Sequence, residues 1–358
     1  MKIRELYIEE YKMFKDFKID FLDNDNKPLD IVVLAGVNGS GKTTLLECLN
    51  AQIDNQEISI NDVSQNIKEV NIISDMDVFL SRQTDEQFLL NFDNYREISS
   101  KDREQIIYLP IYQNNITDLK ETIRQKYIDR AFEIDKPSLA LFELQEFIAN
   151  TFSNIDLTFN LSFIDYNKNI VLFKDNYGNE FDIEELSTGE KTLLSKVLYL
   201  YYKDYVGKLI LIDEPELSLH PSWQNRVLKI YENFAKLNNC QIILATHSPH
   251  IIGSAKSESI RLLSKEGNKI EVVDNFSHTY GAKFSQILTD VMGVDYLRVP
   301  IVAQKLDEVK AMIAQNSFDS DEFKTKWKEL EEMLGKSNLE LKLLKLEIAS
   351  RKKNVSNS

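Results

Sequence analysis

Eight residues constrain this chain more than any others. Gly36-Val37-Asn38-Gly39-Ser40-Gly41-Lys42-Thr43 matches G-x-x-x-x-G-K-[ST] in full. The apolar run Leu29 to Leu34 before it reads as a buried strand, and Leu45, Leu46 and Leu49 after it recur at helical spacing. Between a strand and a helix, glycines at 36, 39 and 41 let successive backbone N–H groups turn inward and form an anion nest. The helix starting near Gly41 aims its positive end at the same point. Lys42 then reaches the β- and γ-phosphates of a nucleotide, and the Thr43 hydroxyl is a ligand for Mg²⁺. Asn38, Gly39, Ser40, Gly41 and Thr44 complete the expected nucleotide-binding loop.

Two further stretches supply chemistry that a phosphate loop lacks. In Leu209-Ile210-Leu211-Ile212-Asp213-Glu214 an apolar strand ends in two carboxylates, at the edge where α/β proteins bind ligands. Asp213 is expected in the Mg²⁺ shell, and Glu214 is expected to polarise the attacking water. The strand QIILA is followed by Thr246-His247-Ser248-Pro249-His250. His247 stands where it could sense a γ-phosphate, whereas His250 reads as a packing or capping residue. His220 and His278 carry no case alone. Gln113, after YLPIY, reads as a plain surface glutamine or as a further ligand of Mg²⁺ and water. Tyr11 and Phe14 could stack on adenine, although core packing is the commoner use of such residues.

The stretch Glu184 to Leu194 (EELSTGEKTLL) places the small turn Ser187-Thr188-Gly189 before an amphipathic helix. With the three earlier stretches in this order, the chain resembles the ABC-type ATPases, in the non-transporter branch that holds SMC, RecF-like and OLD-type proteins. Leu186 to Lys191 resembles their signature motif, and Asp213-Glu214-Pro215-Glu216 with Leu217 to Pro221 resembles their Walker B and D-loop. The resemblance covers residues 1 to about 275. It implies Mg²⁺-dependent ATP hydrolysis, and two protomers that sandwich ATP between the phosphate loop of one and Ser187, Gly189 and Glu190 of the other. This sequence departs from the pattern at Thr188, where a glycine is usual, and at Ser218, where transporters carry Asp.

The expected fold is α/β: an ABC-ATPase head with a mostly parallel sheet covered on both faces, an antiparallel N-terminal β subdomain, an inserted helical region and a C-terminal helical tail. Residues 1–275 form the ATPase domain, with a polar insertion at about 53–104 and a helical lobe at about 113–152. Residues 276–358 form a helical assembly or docking region, in which Phe323 and Trp327 are candidate anchors. The segment 278–295 and the helices after it resemble the C-terminal part of the ATPase subunit of Septu-type defence systems, which also accompanies some retrons. That resemblance implies a separate HNH nuclease partner. A DNA repair ATPase of RecF or SMC type is the alternative, and the nucleotide subunit of a membrane transporter a weaker one.

Composition sets the outer bounds. The net charge of −14 argues against a wholly electrostatic nucleic-acid binder, so any DNA contact must be local or indirect. No apolar run approaches the roughly 20 residues that span a bilayer, and the N-terminus has no export signal. Cys48 and Cys240 fit neither a metal nor a disulfide spacing and read as reduced core residues. A cytoplasmic protein is expected.

Overall fold

A computed structural model describes residues 2–54, 70–74, 78–81, 95–96, 106–109, 119–155, 159–202, 206–217, 219–273, 279–294 and 298–356. The chain opens with an antiparallel hairpin, β1 (Ile3–Tyr11) and β2 (Phe14–Asp20), whose alternating pattern buries Ile3, Leu6, Ile8, Phe14 and Phe17. The uniformly apolar β3 (Ile31–Ala35) then runs into the glycine loop and α1 (Lys42–Asp54). Three short strands follow, β4 (Val70–Ser74), β5 (Val78–Ser81) and β6 (Tyr95–Arg96). Because β4 pairs antiparallel with β1, short strands within the expected insertion extend the N-terminal sheet, in the order β2-β1-β4-β5-β6.

Strand β7 (Ile106–Leu109) precedes the helical lobe of α2 (Leu119–Ile134) and α3 (Pro137–Thr151). Strands β8 (Phe159–Asp165) and β9 (Ile170–Asp175) form a hairpin, and β10 (Glu180–Asp182) adds a third strand. The remaining elements of the head are α4 (Thr188–Tyr202), β11 (Leu209–Asp213), α5 (Pro221–Asn238), β12 (Gln241–Thr246), α6 (Pro249–Ser254), β13 (Ile260–Glu266) and β14 (Lys269–Val273).

The central sheet runs β14-β13-β3-β12-β11-β7, parallel from β13 to β7, with β14 as an antiparallel edge. Successive side chains of a strand face opposite sides, and here both sides are covered. Val32, Leu34, Leu209, Leu211 and Ile243 pack with the N-terminal strands and α1. Ile31, Val33, Ile210, Ile212, Ile242 and Leu244 join the core made with the other helices. Unbroken apolar runs are what such a doubly covered sheet requires. One polar residue sits inside this interior without penalty. Gln241 is fully buried, accepts from the Ile3 N–H at 2.7 Å, and donates to the carbonyls of Ile3 and Leu29 at 3.0 Å each.

The chain divides into two compact units, Met1–Met292 and Gly293–Ser358. The first ends within the range 275–300 where the sequence changes character, beyond the expected domain end at 275, because Ile287 and Val291 are buried in the head's own core. The second consists of α7 (Pro300–Ala314), α8 (Asp321–Leu334) and α9 (Leu339–Ser356) around Leu306, Val309, Ile313, Leu330, Leu341 and Leu344. Phe323 and Trp327 stack 5.6 Å apart within this bundle, so the expected aromatic anchors fill the tail's own core.

Candidate nucleotide site

The strand order determines which loops meet. Strands β3, β12 and β11 are neighbours, so the segments leaving their C-terminal ends converge: the glycine loop from β3, Thr246 and His247 from β12, and Asp213 and Glu214 from β11. Val37, Asn38 and Gly39 face solvent, while Ser40, Gly41 and Lys42 are buried and Thr43 and Thr44 are half-buried. Gly36 adopts a φ of 151°, and a Cβ there would come within 2.5 Å of the Leu263 carbonyl oxygen, so only glycine fits.

The Lys42 ammonium donates to the Gly36 carbonyl at 2.8 Å and the Val37 carbonyl at 3.1 Å. Burial pushes its pKa down, opposed by the charges of Glu214, Asp213 and Glu216. Asp213 is pushed up by burial, and the nearby Thr43 hydroxyl acts against that shift. The pair expected to share a Mg²⁺ shell thus lies side by side.

Glu214 takes a left-handed φ of 48°, which a non-glycine residue enters at a cost of about 1–3 kcal/mol. Its N–H donates to Ala245 at 2.9 Å, tying the turn to the end of β12. That turn directs the carboxylate at His247, with Glu214 Oε2 and His247 Nδ1 2.6 Å apart. Glu216, unassigned from sequence, completes the cluster. It is 4% exposed, accepts from the Thr246 hydroxyl, and brings its carboxylate within 4.8 Å of that of Glu214. Burial and the neighbouring Glu214 carboxylate push Glu216 up to about 8. A buried acid beside a second acid escapes repulsion by keeping its proton.

Ser187 and Glu190 lie elsewhere in the chain's architecture, at the N-terminus of α4. The Ser187 N–H and hydroxyl donate to Glu190 Oε2 at 2.9 and 2.6 Å, and the Glu190 N–H returns a bond to Ser187 Oγ at 3.3 Å. This reciprocal cap exposes Ser187 and Thr188 at a helix end that favours anions. Gly189 lies against Trp223, whose indole would be 2.9 Å from a Cβ at that position.

Of the remaining candidates, Tyr11 and Phe14 are core residues, 5% and 0% exposed. His250 bonds Asn225 at 3.0 Å and packs on Phe284. His220 caps α5 by accepting from the Ser222 N–H. Gln113, Ser218 and His278 lie outside the described residues. Cys48 and Cys240 are buried free thiols, both pushed up to about 12 by burial.

The residues present fit a nucleoside triphosphate with its divalent cation. Ser40 Oγ is fully buried with no hydrogen-bond partner among the described residues, inside a loop of inward-turned backbone. An ammonium, a hydroxyl and a carboxylate adjoin it, the donor set that phosphate and a hard cation need.

Comparison with known proteins agrees with this geometry. Residues 64–253 match the family described as "AAA domain, putative AbiEii toxin, Type IV TA system". The "Septu protein PtuA" of Bacillus thuringiensis is 28% identical over 97% of this chain and 98% of its own length. The "Retron Ec83 probable ATPase" of Escherichia coli is 28% identical over 67% of this chain and 43% of its own. The "OLD nuclease" of Thermus scotoductus is 29% identical over 25% of this chain and 17% of its own. No described helix is long and apolar enough to cross a membrane. The chain belongs to this AAA-domain family, as an ATPase of the OLD- and RecF-like kind.

Proposed function

We propose that the protein hydrolyses ATP at this site with Mg²⁺, that two copies close on the nucleotides, and that closure controls a separate nuclease in defence against phage. The observation that carries the reading is what meets at the three strand ends: Thr43 beside Asp213, and Glu214 with His247 at 2.6 Å. Lys42 and the loop N–H groups would hold the phosphates, while Thr43 and Asp213 would hold the cation. Bound there, Mg²⁺ supplies charge neutralisation at the β- and γ-phosphates. Glu214 would orient water and take its proton, with His247 Nδ1 close beside its carboxylate. The exposed cap at Ser187 offers N–H groups and a helix dipole to a phosphate presented by another copy. The nuclease partner, of HNH type, rests on the resemblance to Septu-type ATPases, and a relative named "Septu protein PtuA" supports it. A DNA repair role, which the resemblance of the motifs to RecF- and SMC-type ATPases implies, is the second reading.

The test is steady-state ATP hydrolysis alongside sedimentation of the full-length protein. Lys42→Ala should abolish nucleotide binding. Glu214→Gln should bind ATP, associate in its presence and turn over at least about 10²-fold more slowly. Near-normal turnover in Glu214→Gln would show that another group activates the water. Association that ignores nucleotide in wild type, Glu214→Gln and Ser187→Arg alike would remove the shared site.

A further inference from the structure

Lys196 is a charged residue where the fold gains nothing from charge. It lies on α4 between the buried Ser195 and Val197, is itself only 4% exposed, and has no part in the hydrolytic chemistry of the strand ends. Burying an ammonium costs several kcal/mol unless its partners repay the lost hydration. Its partner is specific: Nζ donates to the Pro215 carbonyl at 2.6 Å. Burial holds Lys196 down to about 8, and Glu216 acts against that shift. Pro215 lies between Glu214 and Glu216, in the turn whose left-handed first residue aims the carboxylate at His247. The ammonium is therefore attached to the backbone that orients Glu214.

The same helix begins at the Ser187 cap. Nine residues separate Ser187 from Lys196, roughly 13 Å along a rigid rod. Its exposed end is where a second copy's nucleotide would be met, and its third turn grips the turn of its own chain's carboxylate. A movement of α4 that the turn did not share would lengthen or misalign the 2.6 Å bond from Lys196. Leaving a buried ammonium without its acceptor is the costlier outcome. The turn should follow the helix.

We propose that Lys196 is a positioning residue that transmits engagement of Ser187 by the partner's nucleotide to Glu214 in the same chain, so that the two sites of a dimer fire cooperatively. The proposal rests on the shared-site reading and adds the route by which the sites sense each other.

The experiment is steady-state hydrolysis of Mg-ATP by full-length wild type, Lys196→Met, Lys196→Arg and Ser187→Arg, with ATP-dependent association measured in parallel. Methionine keeps the aliphatic length and removes the charge and donors. Lys196→Met should keep KM within about threefold and still associate with ATP. Its kcat should fall about 10- to 100-fold, the scale of a small misplacement of a reacting group. The Hill coefficient should drop from above one to about one. Lys196→Arg, which restores a buried donor, should recover part of kcat. Should Lys196→Met fail to fold, Lys196→Gln takes its place under the same criteria. A folded variant with kcat within about twofold of wild type and an unchanged Hill coefficient overturns the proposal. If Ser187→Arg also behaves as wild type, the shared site itself fails. If Ser187→Arg is inactive while Lys196→Met is normal, only the transmission fails.

Discussion

Replacing Glu216 with glutamine should flatten the pH dependence of stability. Glu216 is 4% exposed and its carboxyl is pushed from 4.5 up to about 8, chiefly by burial and then by Glu214. The folded protein thus holds this proton more tightly than the unfolded chain. Stability from the protonated form is fully present below about pH 4.5 and is lost as pH rises through about 8. Between those limits unfolding releases about one proton, which lowers stability by about 1.4 kcal/mol per pH unit. Glutamine does not titrate. Its carbonyl can accept from the Thr246 hydroxyl as Glu216 does, and its amide leaves a donor beside Glu214 in place of the acid proton. Wild type should therefore lose about 2–4 kcal/mol relative to Glu216→Gln between pH 5 and pH 8. Urea unfolding at unit pH steps, followed by tryptophan fluorescence, measures the difference in slope. Parallel curves would mean that Glu216 is already ionised in the folded protein at pH 5, and the reasoning would fail.

Gly189→Ala drives a methyl into the Trp223 indole, so it should destabilise the head by about 1–3 kcal/mol and shift Trp223 emission in a Trp327→Phe background. An unshifted spectrum would place the ring elsewhere. Gln241→Leu strips partners from Ile3 and Leu29 and should cost about 2–4 kcal/mol in urea unfolding; a neutral result would show that water replaces the amide. Leu330→Ala empties a fully buried position of the tail bundle and should cost that unit about 2–5 kcal/mol, read as lost helical circular dichroism on heating.

The parts of this fold that sequence reveals are those written in local pattern. The runs at 31–35, 209–213 and 241–246 are apolar without interruption because both faces of the sheet are covered, and the glycine loop needs glycine at positions where no Cβ fits. The parts it conceals depend on distant pairing. Strand β4 joins β1 across some sixty residues, and β10 and β14 are short edge strands with little pattern of their own. The site divides in the same way. Lys42, Thr43, Asp213, Glu214 and His247 follow from motif and order. Lys196 and Glu216 look like surface residues in a linear reading, and only packing turns one into a buried ammonium and the other into a protonated acid. Phe323 and Trp327 mislead in the opposite sense, because a small bundle needs large side chains for its own interior.

The Gln241 amide has a consequence for biosynthesis. Its bonds to Ile3 link positions 238 residues apart, so the first strand cannot take its final place until two-thirds of the chain has been made. At ordinary translation rates of about 5–20 residues per second, that delay is about 12–50 seconds. For most of it, the hairpin of β1 and β2 has β3 and α1 available but lacks its anchoring amide and the strands β11, β12 and β13. A nascent chain of this design carries an apolar sheet face before its partner is complete, and it is then that a ribosome-bound chaperone has most to protect.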